Sequence, residues 1–290
     1  MNTVITRMPL TNEIPALRGI WAKVFGSIGE DSFFRHYYNP ELCVVAECKS
    51  LPVAVGYLIP SGSLVYGGKS LQCAMIYSVA TLPEFRGMGY GTAVVRKMIS
   101  LATELDYPAV VLCPSTDELF EYYSTRTNLQ DWFYVNEQIM EKIPVASSVS
   151  LPVEISADEY KSLRDDLLKE SVHIRHDLSA VEYQALLCKE LGGGLYRVGD
   201  ACAIVECQPD GAVWIKELLT PGSVNDSSSG SISADSMASI AREYPSHKYI
   251  VRQPSMNNNS RRFGMLALKT GVRSIFCVGS QAPWYGMAFD

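Results

Sequence analysis

The residues best placed to do chemistry are Arg86-Gly87-Met88-Gly89-Tyr90-Gly91, which stand where an apolar strand pattern gives way to a helical one. Residues 73–81 before them are apolar enough for a buried strand, and Pro83 punctuates its end. Behind them Ala93, Val94, Met98, Ile99, Leu101 and Ala102 recur at helical spacing over residues 92–103. The first N–H groups of such a helix have no internal partner and lie at the positive end of its macrodipole. Together they make an anion site that needs no charged side chain, and glycines let the backbone approach the ligand. Phosphate is the anion such a turn suits.

Two other phosphate signatures fail on spacing. A dinucleotide fingerprint needs a third glycine after two intervening residues. Counted from Gly87 and Gly89 that place holds Thr92, and from Gly89 and Gly91 it holds Val94. A Walker loop ends in Gly-Lys-Ser/Thr, and Gly68-Lys69-Ser70 lacks the first loop glycine at its place.

The elements that must position the turn are legible in outline. The chain reads as a helix over 11–25, a shorter one over 31–37, and strands over 42–48, 53–59 and 72–80. After the glycine-headed helix come a strand over 109–113, a helix over 117–125 and strand material over 132–143. Ser61-Gly62-Ser63 and Tyr66-Gly67-Gly68 read as hairpin loops. Hairpin strands followed by strand–helix units predict an α/β (α+β) fold, a mixed central sheet with helices on both faces. Residues 143–152, small, polar and bracketed by Pro144 and Pro152, read as a linker that divides the chain into 1–145 and 146–290. Beyond it, helices over 158–169, 180–191, 233–243 and 260–269 alternate with strands over 195–198, 201–207, 212–219, 247–251 and 272–278, a partial repeat of the first half.

Composition bounds the partners. The 290 residues are 47% hydrophobic and 19% charged, as in a globular protein. A formal charge of −6 argues against nucleic acid as a partner, because a phosphate backbone calls for a basic stripe, and it suits a cationic amine. No apolar run reaches membrane-span length and the first residues lack a signal-peptide pattern, so the expectation is a soluble cytoplasmic protein with no membrane partner. The eight cysteines fall mostly in apolar strand-like runs, as reduced core cysteines do. No metal is expected: there is no Cys-x-x-Cys, and neither the cysteine pairs nor His173 and His176 have further ligands at metal-site spacing. The sequence leaves a homo-oligomer open.

Arg86, Gly89 and Gly91, with the lead-in Val79-Ala80-Thr81-Leu82-Pro83-Glu84-Phe85, resemble the GCN5-related N-acetyltransferases (GNAT), whose signature is Arg or Gln, two residues, Gly, one residue, then Gly or Ala. The resemblance implies an acetyltransferase-like fold that uses acetyl-CoA as co-substrate. It lays the pantetheine arm along Val79, Ala80 and Thr81, with a main-chain N–H near Ser78 or Val79 directed at the thioester oxygen. It sets the pyrophosphate against Arg86, Gly87, Met88, Gly89, Tyr90, Gly91 and Thr92. It also makes Tyr123 the proton donor to the departing thiolate, although Thr127-Asn128 replaces the family's Gly-Phe and Tyr122 remains a rival. Candidates for a general base, Glu84, Glu47, Tyr77, Glu118, Glu121 and His36, are not ranked by spacing.

In the second half Leu218-Leu219-Thr220-Pro221 takes the place of Ala80-Thr81-Leu82-Pro83, but the serine-rich run 222–231 replaces the arginine and its glycines. The expectation is a tandem pair of acetyltransferase-like units, the second degenerate and without coenzyme. The activity expected is N-acetyl transfer to a small-molecule or amino-terminal amine. The alternative is a noncatalytic acyl-CoA-binding or regulatory module.

Overall fold

The computed structural model describes residues 4–145, 148–221, 232–254, 260–269 and 283–289. The middle of the expected linker, the serine-rich run 222–231 and the expected last strand over 272–278 lie outside them. In chain order the elements are β1 (Ile5–Arg7), α1 (Ile14–Phe25), α2 (Glu30–His36), β2 (Cys43–Cys48), β3 (Leu51–Tyr66), β4 (Lys69–Thr81), α3 (Tyr90–Glu104), β5 (Ala109–Leu112) and α4 (Asp117–Ser124). Then follow β6 (Gln130–Met140), β7 (Val153–Glu154), α5 (Ala157–Leu168), β8 (His173–Arg175), α6 (Leu178–Glu190), β9 (Gly194–Val198), β10 (Ala201–Cys207), β11 (Val213–Leu219), α7 (Ala234–Glu243), β12 (Tyr249–Pro254) and β13 (Arg261–Leu268). None of the described helices is long and apolar enough to cross a membrane.

Strands β1, β7 and β8 have no counterpart in the sequence reading, and two segments that it does assign are different in the structure. The expected helix over 260–269 is strand β13, which pairs antiparallel with β5 from Met265↔Leu112 to Leu268↔Ala109. Its residues Phe263 to Ala267 are buried on both faces, and a short run apolar all round has no period to read. Ser61-Gly62-Ser63 is not a loop but the interior of β3; the hairpin turns at Gly67 and Gly68, both at positive φ.

The chain forms two compact units, and each draws on both halves of the sequence, whereas the sequence reading cut the chain once at 145/146. The first comprises Met1–Gly62, Leu71–Asp131 and Gly264–Ile275, the second Ser63–Ser70, Trp132–Phe263 and Phe276–Asp290. Local patterning carries no information on which distant strand completes a sheet, and β13 supplies the neighbour of β5.

In the second unit β11 pairs antiparallel with β10 and parallel with β12, and β12 pairs antiparallel with β6. A buried carboxylate organises one end of it. Glu217 accepts hydrogen bonds from Tyr160 Oη (2.7 Å), Arg164 Nε (2.8 Å) and Trp284 Nε1 (2.6 Å), and Arg164 also donates to the carbonyls of Ile174 and Tyr285. The aromatic tail is thereby held in the core of this unit; Asp290 lies outside the described residues.

In the first unit the strand order is β1-β2-β3-β4-β5-β13, antiparallel except for the parallel pair β4 and β5 that α3 connects. Helices cover both faces. One carries Trp21 of α1 and Phe33 of α2 against Tyr57 and Tyr77. The other carries α3 and α4, whose Val94, Val95, Met98, Leu101 and Phe120 share a buried cluster with Ala54, Leu58, Ala74 and Ile76. Each such side chain withdrawn from water contributes about 1.5–3 kcal/mol. Close approach of α3 depends on Gly56 of β3, where an added Cβ would stand 2.7 Å from Met98 Sδ and 2.9 Å from Val94 Cγ1. Gly56→Ala is therefore expected to lower stability by about 1–3 kcal/mol through overpacking, read as a fall in Tm; an unchanged Tm would show that α3 does not press on this position.

Candidate active site

The end of β4 is the first constituent. Its parallel register with β5 runs from Cys73↔Ala109 to Ile76↔Leu112, while β4 itself continues to Thr81. The other edge of β4 stays tied to β3, as far as the bond from Leu82 N to Val53 O (2.9 Å). Beyond Ile76 the two parallel strands part, and the last residues of β4 keep a neighbour on one side. A ligand with amide groups can be added there as a strand is added to a sheet edge.

At this point Ser78 takes a left-handed φ of 48°. The alternation of faces slips accordingly. Ile76 lies in the α3 cluster and Tyr77 among the rings of α1 and α2, yet Val79, which regular alternation would send to the Tyr77 side, packs on the α3 side. One residue too many on one strand is a bulge, and a bulge re-aims the main chain. The expectation of a specially directed N–H near Ser78 or Val79 thus meets a backbone distortion at that place, which no residue type announced.

The glycine turn is the second constituent. Gly87 and Gly89 both sit at positive φ (78° and 88°), and Gly89 caps α3 with no side chain to accept from the first N–H groups. The first bond within the helix runs from Ala93 N to Gly89 O (3.0 Å). The N–H groups of Tyr90, Gly91 and Thr92 precede it, which is the donor array the sequence reading required. Arg86 and Met88 are exposed, and Arg86 Nε donates to Thr81 O (3.3 Å), tying the turn to the end of β4. Gly91 lies against the same residue, since a Cβ there would be 3.2 Å from Thr81 Oγ1. Val79, Ala80 and Thr81 are thereby brought next to the Arg86–Thr92 turn. Tyr90 rests its ring against Phe85.

The two tyrosines of α4 separate. Tyr122 reaches the first turn of α3, with its hydroxyl 2.5 Å from Thr92 Oγ1, and the Arg126 guanidinium lies 4.4 Å over its ring. Tyr123 turns into the α3 cluster and is 6% exposed. Burial pushes its phenol well above the ordinary value, which makes it a weaker acid than a free tyrosine. The Thr92–Tyr122 contact had no sequence signal, because its partners lie thirty positions apart on different helices.

Among the base candidates, Glu47 is paired with Arg7 (2.6 Å) and Glu84 with Lys23 (3.1 Å). Hydrogen bonds from its own backbone N–H and from Lys23 hold the Glu84 carboxyl below the usual range, as backbone and Thr116 bonds do for Glu118. Both are therefore weak bases. His36 is exposed at the end of α2. In the second unit His173 and His176 each hydrogen-bond a separate carbonyl, those of Ser171 and Tyr285.

Residues 7–125 match the family model described as an acetyltransferase (GNAT) domain. They are a GNAT domain. The match runs from the last residue of β1 to just past α4 and so contains the bulge, the glycine turn and both tyrosines; acetyl transfer is the chemistry of this class. Among solved structures, the chain is similar to a GCN5-related N-acetyltransferase from Anabaena variabilis ATCC 29413, with TM-score 0.65 at 17% identity, covering 92% of this chain and 73% of that one. It is also similar to one from Kribbella flavida, with TM-score 0.63 at 14% identity over 92% and 71% of the two chains. A putative acetyltransferase from Pyrococcus horikoshii gives TM-score 0.59 at 15% identity over 93% and 91%. At these identities the likeness is one of fold. No curated protein matches the sequence.

The bulge in the GNAT domain has a testable signature. A left-handed φ costs an L side chain about 1–2 kcal/mol, most for β-branched residues. Ser78→Gly is expected to leave Tm nearly unchanged, relief of strain offsetting the added chain entropy, whereas Ser78→Val should cost about 1–2 kcal/mol. Equal Tm values for the two variants would remove the bulge from the account.

Proposed function

We propose that the GNAT domain transfers an acetyl group from acetyl-CoA to the nitrogen of a small-molecule or amino-terminal amine. One observation carries this reading: an open, glycine-capped helix start tied by Arg86 to a strand end that has lost its parallel neighbour. The first is suited to a pyrophosphate and the second to the amide-bearing arm that follows it in coenzyme A. In this reading Tyr90, Gly91 and Thr92 donate main-chain hydrogen bonds to the pyrophosphate, and Val79, Ala80 and Thr81 flank the arm.

The neutral amine attacks the thioester carbonyl; a C–N bond forms, the C–S bond breaks, the nitrogen loses a proton and the sulfur gains one. The N–H at the Ser78 bulge stabilises the oxyanion of the tetrahedral intermediate. Tyr123 supplies the proton to the sulfur. Tyr122 positions the first turn of α3 through Thr92.

The second unit is, in this proposal, a degenerate copy. The antiparallel, parallel, antiparallel succession of β10, β11, β12 and β6 repeats that of β3, β4, β5 and β13, and a helix again joins the parallel pair. The cap of that helix differs. Ser233 accepts from Ser236 N at the start of α7, so a side chain occupies a donor that α3 leaves open.

Calorimetry with acetyl-CoA and turnover on an amine panel test the proposal together. Gly89→Ala, which forces a Cβ into a left-handed conformation, is expected to weaken coenzyme binding about tenfold or more. Tyr123→Phe should slow kcat about a hundredfold with coenzyme affinity unchanged. Absence of acetyl-CoA binding would overturn the reading, and binding without turnover on any amine would leave the noncatalytic alternative.

A further inference from the structure

The arginines around the glycine turn are bonded differently from those elsewhere in the chain. Arg7, Arg18, Arg164 and Arg252 each pair with a carboxylate. Arg86, Arg96 and Arg126 are exposed and have no carboxylate partner among the described residues; their side chains donate only to carbonyl and hydroxyl oxygens. In a chain of formal charge −6 they leave a local excess of positive charge beside the first turns of α3. Such a patch draws an anion to a protein that as a whole repels it.

Arg126 is the best prepared of the three. Its guanidinium lies 4.4 Å over the Tyr122 ring, and its Nη1 donates to Tyr122 O (3.3 Å) and Thr125 Oγ1 (2.9 Å). Arg96 stands one turn after Thr92 on the same side of α3 and donates from Nε to Arg126 O (2.7 Å), which fixes the backbone from which Arg126 projects. Stacking and these bonds restrict the side chain in advance, so less freedom is lost when it captures a ligand. Its Nε and Nη2 carry no hydrogen bond to the described residues. That leaves one edge of the fork open to two parallel N–H···O bonds, the geometry with which a guanidinium takes a phosphate.

A run of contacts sets its place. Thr81 is tied to the turn by Arg86 and Gly91, the open N–H groups of Tyr90, Gly91 and Thr92 come next, Thr92 meets Tyr122, and Arg126 lies on Tyr122. Coenzyme A has its groups in the same order: the amide-bearing arm, the pyrophosphate, then a ribose that carries a phosphate monoester. Strand end and helix start answer the first two and leave the monoester without a partner.

We propose, resting on the acetyl-transfer reading, that Arg126 binds the phosphate monoester on the ribose of the coenzyme, with Arg96 as its positioning residue. The site thereby selects acetyl-CoA over acetyl-dephospho-CoA.

The test is calorimetry of the full chain with those two coenzymes. Acetyl-CoA should bind about tenfold tighter than acetyl-dephospho-CoA. Arg126→Gln should weaken acetyl-CoA about tenfold and leave the affinity for the dephospho form unchanged, the non-additivity expected of two groups in contact. Arg126→Lys, which keeps the charge without the fork, should retain only part of the preference. Arg96→Gln should narrow the preference, again without weakening the dephospho form, an outcome that a merely structural role for Arg96 would not give. Equal affinity for the two coenzymes in the unmodified chain, or an Arg126→Gln variant that weakens both alike, would overturn the proposal and leave acetyl transfer standing. Binding of neither coenzyme would overturn the acetyl-transfer reading and this inference with it.

Discussion

The parting of β4 from β5 after Ile76↔Leu112 is the constraint on which the rest of the GNAT domain depends. A parallel sheet normally satisfies every strand on both edges, and a strand end left with one neighbour in the interior of a domain is costly unless something else pairs with it. Here α3 begins where the strands diverge, and its own first N–H groups are likewise without internal partners. Two deficits of hydrogen bonding are thus placed side by side, one linear and one convergent. A ligand with an amide-bearing arm and a phosphate head meets both.

The packing around this opening explains why it does not collapse. Gly56 lets α3 lie close on β3, and Val94 and Met98 anchor the helix so that its N-terminus is held at a set distance from the sheet. The bulge at Ser78 turns Val79 to the α3 side while Tyr77 stays on the opposite face with the rings of α1 and α2. Arg86 closes the turn onto Thr81 from outside, and Thr92 with Tyr122 braces it from within. The first joins residues five positions apart and the second residues thirty apart.

The second unit has the same succession of strand directions as β3, β4, β5 and β13. Its crossover helix is capped by Ser233, and two of its buried carboxylates are paired within the unit: Glu217 with Tyr160, Arg164 and Trp284, and Glu206 with Gln184 and Lys216. Networks of that kind, fully paired, specify a packing rather than await a ligand.

The sequence by itself determined the strand, turn and helix around Arg86 to Thr92, because glycine spacing and hydrophobic period are local properties that the backbone obeys within a few residues. It determined the mixed fold class for the same reason, and the outline of most helices and strands. Only the tertiary structure decided that residues 261–268 form a strand beside β5, that Ser78 bulges, and that Tyr122 reaches Thr92 while Tyr123 turns inward. Each of these depends on a partner distant in the chain. A run apolar on all sides, a serine with a positive φ, or a tyrosine one position from another carries no local mark of what it will meet.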